Sequence, residues 1–338
     1  MTSAAPTPLV QLGRPSRAPK ATIELTIDGR SVKVPAGTTI LGACATIGIE
    51  IPTLCFLETL RPVNVCRLCV VEVQGARVLV PSCSRAVENG MVVQTRSPRV
   101  AHSRKLVLEL LASSVDLSTA PGMAALLDDY GCKPDRFGPP APVAAEGTRE
   151  STIAGHHEPP DPAYAATVAQ PPKVDNYLYV RDYTKCVLCY KCVEACGPDH
   201  QNTFAIAVAG RGFDARISTE FAVLLPESAC VYCGNCIAVC PTGALVAKSE
   251  FDMRLAGTWD PHRQAVTDTI CPYCGVGCTL TLHVQDGEIV TATSPLDNGI
   301  TLGNLCIKGR FGWRFVGRRE VGGPRVEDRT RTEAGPGA

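Results

Sequence analysis

The sequence predicts a multidomain α+β chain, and three observations point there. A strand–strand–helix–strand pattern fills residues 21–98, a cysteine motif is duplicated in residues 176–253, and a second hairpin pattern lies in residues 263–316. The 338 residues hold eighteen cysteines, seventeen of them beyond residue 50, and 45% of the chain is hydrophobic. A chain of that length and composition can build two or three cores and has no need of disulfides to replace them.

The elements follow in order. Residues 1–20 are rich in Pro, Ser and Ala and read as a disordered tail. Thr22–Thr26 and Ser31–Pro35 alternate about Asp28-Gly29, which predicts a hairpin. Thr38 or Thr39 can cap a helix through Ile40, Leu41, Ala45 and Ile47 that ends at Gly48. Leu68–Val73, Arg77–Val80 and Met91–Thr95 read as further strands, making 21–98 a small domain with a mixed sheet. In the helical segment 99–137, residues 99–112 carry an apolar stripe of Val100, Leu106, Val107, Leu110 and Leu111, and a short helix covers about 122–129. Residues 138–175 are crowded with Pro, Ala and Gly and read as a linker. The third unit has a hairpin at Asp286-Gly287, and 317–338 is a second tail without periodicity.

Charge excludes more than it suggests. Thirty-three basic and thirty-three acidic residues cancel, which gives no electrostatic case for nucleic acid or an anionic membrane. The first residues lack the apolar stretch of a secretory signal, and no run approaches the length of a membrane span. A reducing, cytoplasmic setting is expected, and there closely spaced cysteines are metal ligands.

Cys55, Cys66, Cys69 and Cys83 have the spacing C-x10-C-x2-C-x13-C and sit on predicted loops. Four thiolates suit a [2Fe–2S] cluster, with the close Cys66–Cys69 pair on one iron and the distant two on the other. Structural zinc favours two short pairs, and only one exists here. Cys186, Cys189, Cys192 and Cys196 read C-x2-C-x2-C-x3-C, and Cys230, Cys233, Cys236 and Cys240 repeat it before Pro241. In this bacterial two-cluster pattern the fourth cysteine of each run serves the other cluster. One [4Fe–4S] cube is therefore expected on Cys186, Cys189, Cys192 and Cys240, and a second on Cys230, Cys233, Cys236 and Cys196. The 33 residues between the copies exceed a minimal ferredoxin and are expected to form an inserted hairpin around Gly210-Arg211-Gly212. Cys271, Cys274, Cys278 and Cys306, three together and one remote, suit a third cube. Cys44, among apolar neighbours on its helix, reads as a buried thiol, and Cys132 is left over. Iron through sixteen cysteines is thus expected, with no general acid or base needed.

The first set resembles the [2Fe–2S] β-grasp domain shared by the complex I large iron–sulfur subunit, iron-only hydrogenases and some formate dehydrogenases. The run Cys-Pro-Tyr-Cys-Gly-Val-Gly-Cys at 271–278, with Asn-Leu-Cys-Ile-Lys-Gly-Arg at 304–310, resembles the small domain opening molybdenum or tungsten bis-pterin oxidoreductases. From about Ala21 to Val316 the module order is similar to the N-terminal part of a cytosolic, NAD-linked formate dehydrogenase catalytic subunit. Arg181 to Cys186 and Gln201 to Ile206 carry that likeness too. The resemblance implies that Lys308 sits between the last cube and a pterin as an electron relay. It also implies two partners, a separately encoded pterin subunit and a flavin- and NAD-binding iron–sulfur subunit.

Two departures qualify it. The family often carries a further cube on a His and three Cys after the helix that here ends near Leu111. This chain reads Ala112 to Pro121 there without Cys or His, and His102 lies upstream on the helix, so that cube is expected to be absent. The sequence also stops at Ala338, before any pterin domain, so neither pterin nor molybdenum is expected on this chain alone. The expected function is an electron-transfer subunit or fragment of a formate dehydrogenase-like complex. The alternatives are a diaphorase-type subunit of an NAD-reducing hydrogenase or complex I-like enzyme, and a non-catalytic remnant of an interrupted gene.

Overall fold

Alternation and turn chemistry build the first sheet. The computed structural model describes residues 20–138, 156–157, 167–168, 171–212 and 215–316. The tails, and most of the segment read as a linker, lie outside these residues. By contacts the chain divides into two units, Met1–Pro52 with Cys69–Val100 and Thr53–Leu68 with Ala101–Ala338.

In the first unit, β1 (Thr22–Ile27) and β2 (Arg30–Pro35) pair antiparallel. Asp28 at φ 47° and Gly29 at φ 80° make the two-residue turn, both in the left-handed region that such hairpins require. Helix α1 (Ile40–Thr46) starts on Thr39, whose Oγ1 accepts from the Gly42 N–H at 3.1 Å. With β3 (Val70–Val73), β4 (Val80–Pro81) and β5 (Val92–Gln94), the sheet order is β2-β1-β5-β3-β4. Within this sheet only β1 and β5 run parallel. The Arg77–Val80 strand is corrected to two residues, because Gly75 at φ 83° turns the chain and only Val80 and Pro81 reach the β3 ladder. Leu25, Ile27, Val32, Val34, Ile40 and Val93 fill the core, and Cys44 is buried with them.

In the second unit, α2 (Pro98–Ser114) and α3 (Met123–Asp129) enclose Leu108, Ala120 and Met123 with Leu54 and Leu68. Cys132 is packed at the edge of this cluster. Strands β6 (His156–His157) and β7 (Thr167–Val168) form a short pair. Next, β8 (Tyr179–Arg181) pairs antiparallel with β11 (Leu245–Ala247), which joins the two ends of the duplicated region. Between them lie α4 (Lys191–Cys196), α5 (Asn235–Ala238) and the antiparallel pair β9 (Ala207–Ala209) and β10 (Arg216–Ser218). That pair occupies the place of the expected inserted hairpin. Helix α6 (Lys248–Leu255) leads to the sheet β12 (Ala265–Ile270), β13 (Thr279–Gln285) and β14 (Glu288–Thr293), and α7 (Ile307–Phe311) follows. The hairpin at Asp286-Gly287 forms, whereas β12 and α6 were not legible in the sequence. No helix among the described residues is long and apolar enough to cross a membrane.

Candidate metal centres

The two motif copies fold alike. Two residues after Cys186 and Cys230 stand Leu188 at φ 50° and Tyr232 at φ 55°, and four residues after stand Tyr190 at φ 64° and Gly234 at φ 72°. These left-handed turns coil each loop so that three thiols face one side, and each loop then runs into a short helix, α4 or α5. Because β8 and β11 clamp the ends together, each loop meets the tail of the other. One cavity is lined by Cys186, Cys189, Cys192 and Cys240, with Tyr183, Val187, Ile217 and Ala244. The other is lined by Cys196, Cys230, Cys233 and Cys236, with Tyr179, Ile206, Leu225 and Leu245. No disulfide links any of the eighteen cysteines.

Burial dominates the chemistry of these thiols. It pushes Cys186 up to about 12 and Cys189 up to about 11, and drives Cys192 and Cys236 well above the ordinary thiol range. On those four thiols burial favours the neutral form, so a metal held by them would have to displace their protons. Hydroxyls approach several sulfurs. Tyr179 Oη lies 3.0 Å from Cys230 Sγ, and Thr203 Oγ1 lies 3.4 Å from Cys196 Sγ. The backbone N–H of Tyr232 donates to Cys230 Sγ at 3.4 Å. Donors aimed at sulfur stabilise ligating thiolates and tune the group they hold. None of these donors was singled out in the sequence, since spacing alone does not say which hydroxyl a loop will meet.

Within each unit, one pair of the first cysteine set stands close. In the sheet unit, Cys69 Sγ and Cys83 Sγ are 3.3 Å apart, with Ser82 N–H donating to the Cys69 carbonyl oxygen at 3.2 Å. In the second unit, Cys55 and Cys66 are hydrogen-bonded to each other. That bond above all holds the Cys66 thiol low, at about 5, against the cost of its burial. The close pairs are therefore Cys69 with Cys83 and Cys55 with Cys66. Arg67, between Cys66 and Cys69 in sequence, has a left-handed backbone at φ 58°.

In the third module, Cys271 is buried and its N–H donates to the Cys278 carbonyl oxygen at 2.8 Å, closing the loop. The Cys278 thiol is pushed up by burial first, then by Cys271, Cys274 and Cys306. Cys274, Cys306 and Lys308 are exposed on the rim. Cys132 Sγ instead faces the Lys105 carbonyl at 3.9 Å, and burial with the nearby Glu109 charge keeps it protonated.

The segment after α2 docks on the duplicated region. Asp116 N–H donates to the Thr184 carbonyl oxygen at 2.9 Å, the Asp116 carboxylate pairs with Lys185 at 2.7 Å, and Thr119 Oγ1 donates to the Thr242 carbonyl oxygen at 2.6 Å.

Three family profiles match this arrangement. A 2Fe-2S iron–sulfur cluster binding domain covers residues 20–98, a 4Fe-4S dicluster domain 185–244, and a molybdopterin oxidoreductase Fe4S4 domain 264–318. The chain is thus an assembly of iron–sulfur domains of the electron-transporting, oxidoreductase kind. Among its relatives is an NADH-quinone oxidoreductase component of Rhizobium meliloti, 34% identical over 300 residues, or 88% of this chain and 32% of the relative. Another is the HndD component of an NADP-reducing hydrogenase of Solidesulfovibrio fructosivorans, 37% identical over 274 residues, or 80% of this chain and 43% of the relative. This chain therefore spans less than half the length of either relative. A chain from the crystal structure of an NAD+-reducing [NiFe]-hydrogenase shares the fold, with TM-score 0.53 and 24% identity over 68% of this chain and 88% of that one.

Proposed function

We propose that this chain is the iron–sulfur relay of an NAD(P)-linked oxidoreductase, holding one [2Fe–2S] cluster and three [4Fe–4S] cubes. The observation that carries it is the pair of four-cysteine cavities, each drawing three thiols from one motif copy and one from the other. On this reading Cys186, Cys189, Cys192 and Cys240 hold one cube, and Cys230, Cys233, Cys236 and Cys196 the second. Cys271, Cys274, Cys278 and Cys306 hold the third. The [2Fe–2S] ligands are Cys55, Cys66, Cys69 and Cys83, all inside the matching 2Fe-2S domain. When bound, such clusters supply reversible one-electron chemistry. The chain's own residues fix the ligands, exclude water, and aim Tyr179 and Thr203 at sulfur.

The exposed rim of Cys274, Cys306 and Lys308 supports a further proposal, that this end meets a pterin-binding catalytic partner of formate dehydrogenase type, with Lys308 as relay. A flavin- and NAD-binding partner would then serve the other end. The names of the relatives favour a second reading, the same wire in a complex I-like enzyme or in the diaphorase part of a hydrogenase.

Anaerobic purification with iron and sulfide assay tests the common core. About fourteen irons per chain are expected, two for the [2Fe–2S] group and four per cube. Zinc in place of iron would sink the reading. Isolating the chain with its native partners separates the finer alternatives. Formate-dependent viologen reduction supports the pterin partner, hydrogen-dependent reduction supports the hydrogenase, and neither with active NADH oxidation supports the complex I-like reading.

A further inference from the structure

Arg310 is a cation in the wrong place for an ordinary arginine. It is only 5% exposed, on the last turn of α7, four residues after Cys306 has left the third module. Its Nε donates to the Cys233 carbonyl oxygen at 3.0 Å, and its Nη2 reaches Asn235 Oδ1 at 3.3 Å. Asn235, 2% exposed, also accepts from the Leu305 N–H at 3.0 Å. Among the described residues no carboxylate forms an ion pair with Arg310.

A buried guanidinium without a carboxylate is costly, because its charge has left water and gained only neutral acceptors. Burial accordingly pulls its pKa down to about 10, while the Cys233 and Cys236 sulfurs oppose that fall. The sequence nevertheless makes room for it. Where the first motif copy has Tyr190, the second has Gly234, and a Cβ there would stand 2.3 Å from Arg310 Cδ and 3.2 Å from Phe311 Cζ. Phe311 stacks beside Tyr179 with centroids 6.3 Å apart, and Trp313 Nε1 donates to the Arg310 carbonyl oxygen at 2.9 Å, so the backbone of α7 that carries the side chain is fixed on both sides. The groups beside it that can carry negative charge are Cys233, whose carbonyl it already bonds, and Cys236, both from the four-cysteine ring.

We infer that Arg310 is a positioning residue for the cube on Cys196, Cys230, Cys233 and Cys236, its fixed positive charge favouring that cube's reduced form over the reduced forms of its neighbours. The inference rests on the proposed ligation of that cube. A cube with four thiolates is anionic and becomes more so when it gains one electron, so a buried cation beside it raises its potential. No bond forms or breaks in that step. In the test the electron comes from dithionite. Arg310 also arrives on the helix that follows Cys306, so the third module delivers the charge that sets the potential of the second cube. An electron passing between them would find its acceptor level set by docking of the module it leaves or enters.

The test is a redox titration of the full reconstituted chain followed by electron paramagnetic resonance, with the relevant signal identified as the one that Cys233→Ser removes. Arg310→Gln should load its irons and shift that cube's midpoint potential downward, leaving the other two cubes unmoved. Arg310→Lys keeps the charge but loses the fork, and its potential should stay close to that of the unaltered chain. If Gln impairs loading, Arg310→Met offers an uncharged stem of similar length, and the same downward shift is expected. The inference is overturned if a neutral variant loads fully and titrates unchanged. It is overturned equally if Lys, Gln and Met all fail to load alike, since Arg310 is then only a strut. Failure of the underlying ligation shows itself differently, as an unaltered chain that lacks the cube signal and its iron.

Discussion

Tyr179 Oη and Cys230 Sγ lie 3.0 Å apart across the wall of one four-cysteine cavity, and Tyr179 is 2% exposed. Burial first, and then the neighbouring cysteine charges, hold the phenol protonated, so against a ligating thiolate it is the donor. Tyr179→Phe removes that donor with little change of volume. The chain should lose about 1 kcal/mol of stability, and the cube's potential should fall while its iron content holds. A titration showing no movement of that potential would remove Tyr179 from the tuning shell.

The crossed cavities make a prediction that sequence neighbours would not suggest. Cys240→Ser should damage the cube of Cys186, Cys189 and Cys192, whose cavity it shares, and spare the one that follows Cys230 in sequence. Mössbauer or resonance spectra of the variant decide between them. Cys132→Ser should leave the iron count unchanged, because its sulfur faces the Lys105 carbonyl.

Asp175 and Arg181 form a buried ion pair, with side chains 8% and 3% exposed. Burial works to raise the Asp175 pKa, but the Leu225 N–H at 2.9 Å and the Arg181 charge overcome it and hold the carboxyl below its usual range. Asp175→Asn leaves Arg181 buried without a counter-charge and should cost about 3–5 kcal/mol near neutral pH. A carboxyl with a depressed folded pKa contributes its stability above the unfolded value of about 3.9, and that contribution fades as pH falls from there through the folded value. In urea unfolding, the gap between the two chains should therefore stay flat above about pH 5 and narrow below about pH 4. A gap that widens in acid would refute the pairing.

Leu108 is fully buried in α2 among Leu54, Leu68 and Met123. Leu108→Ala should cost about 2–5 kcal/mol through lost burial and the cavity it leaves. Calorimetry or denaturant melts read this directly, and a cost below about 1 kcal/mol would mean that the cluster collapses around the gap.

Gly234 and Gly257 are both left-handed, at φ 72° and 67°, but only Gly234 has a neighbour where its Cβ would go. Gly257→Ala should show only the backbone penalty of about 1–2 kcal/mol. Gly234→Ala adds a collision with Arg310 and should lower the melting temperature more. Equal effects would show that α7 is free to move away.

Much of this was written in local sequence. Asp28-Gly29 and Asp286-Gly287 dictate their hairpins because few residues other than Gly, Asn and Asp accept such turns, and Thr39 caps α1 because its hydroxyl meets the Gly42 N–H. The duplicated C-x2-C-x2-C-x3-C spacing needs no tertiary knowledge either, since three thiols that close can face one group only if the loop coils. The all-exposed strand β12, by contrast, offers no hydrophobic period to read, and its pairing with β13 comes from a neighbouring edge rather than from its own residues.

The sequence by itself thus determined the cysteine sets, their spacing and the kind of domain they belong to. Tertiary structure decided who stands next to whom. It set Cys69 against Cys83, brought Tyr179 to Cys230, and buried Arg310 beside Cys233 across a sequence separation of 77 residues. Ligand type is a property of single residues and short spacings, which a sequence displays. Pairing, burial and the field at a ring of thiols depend on which distant segments pack together, and only the folded chain brings those together.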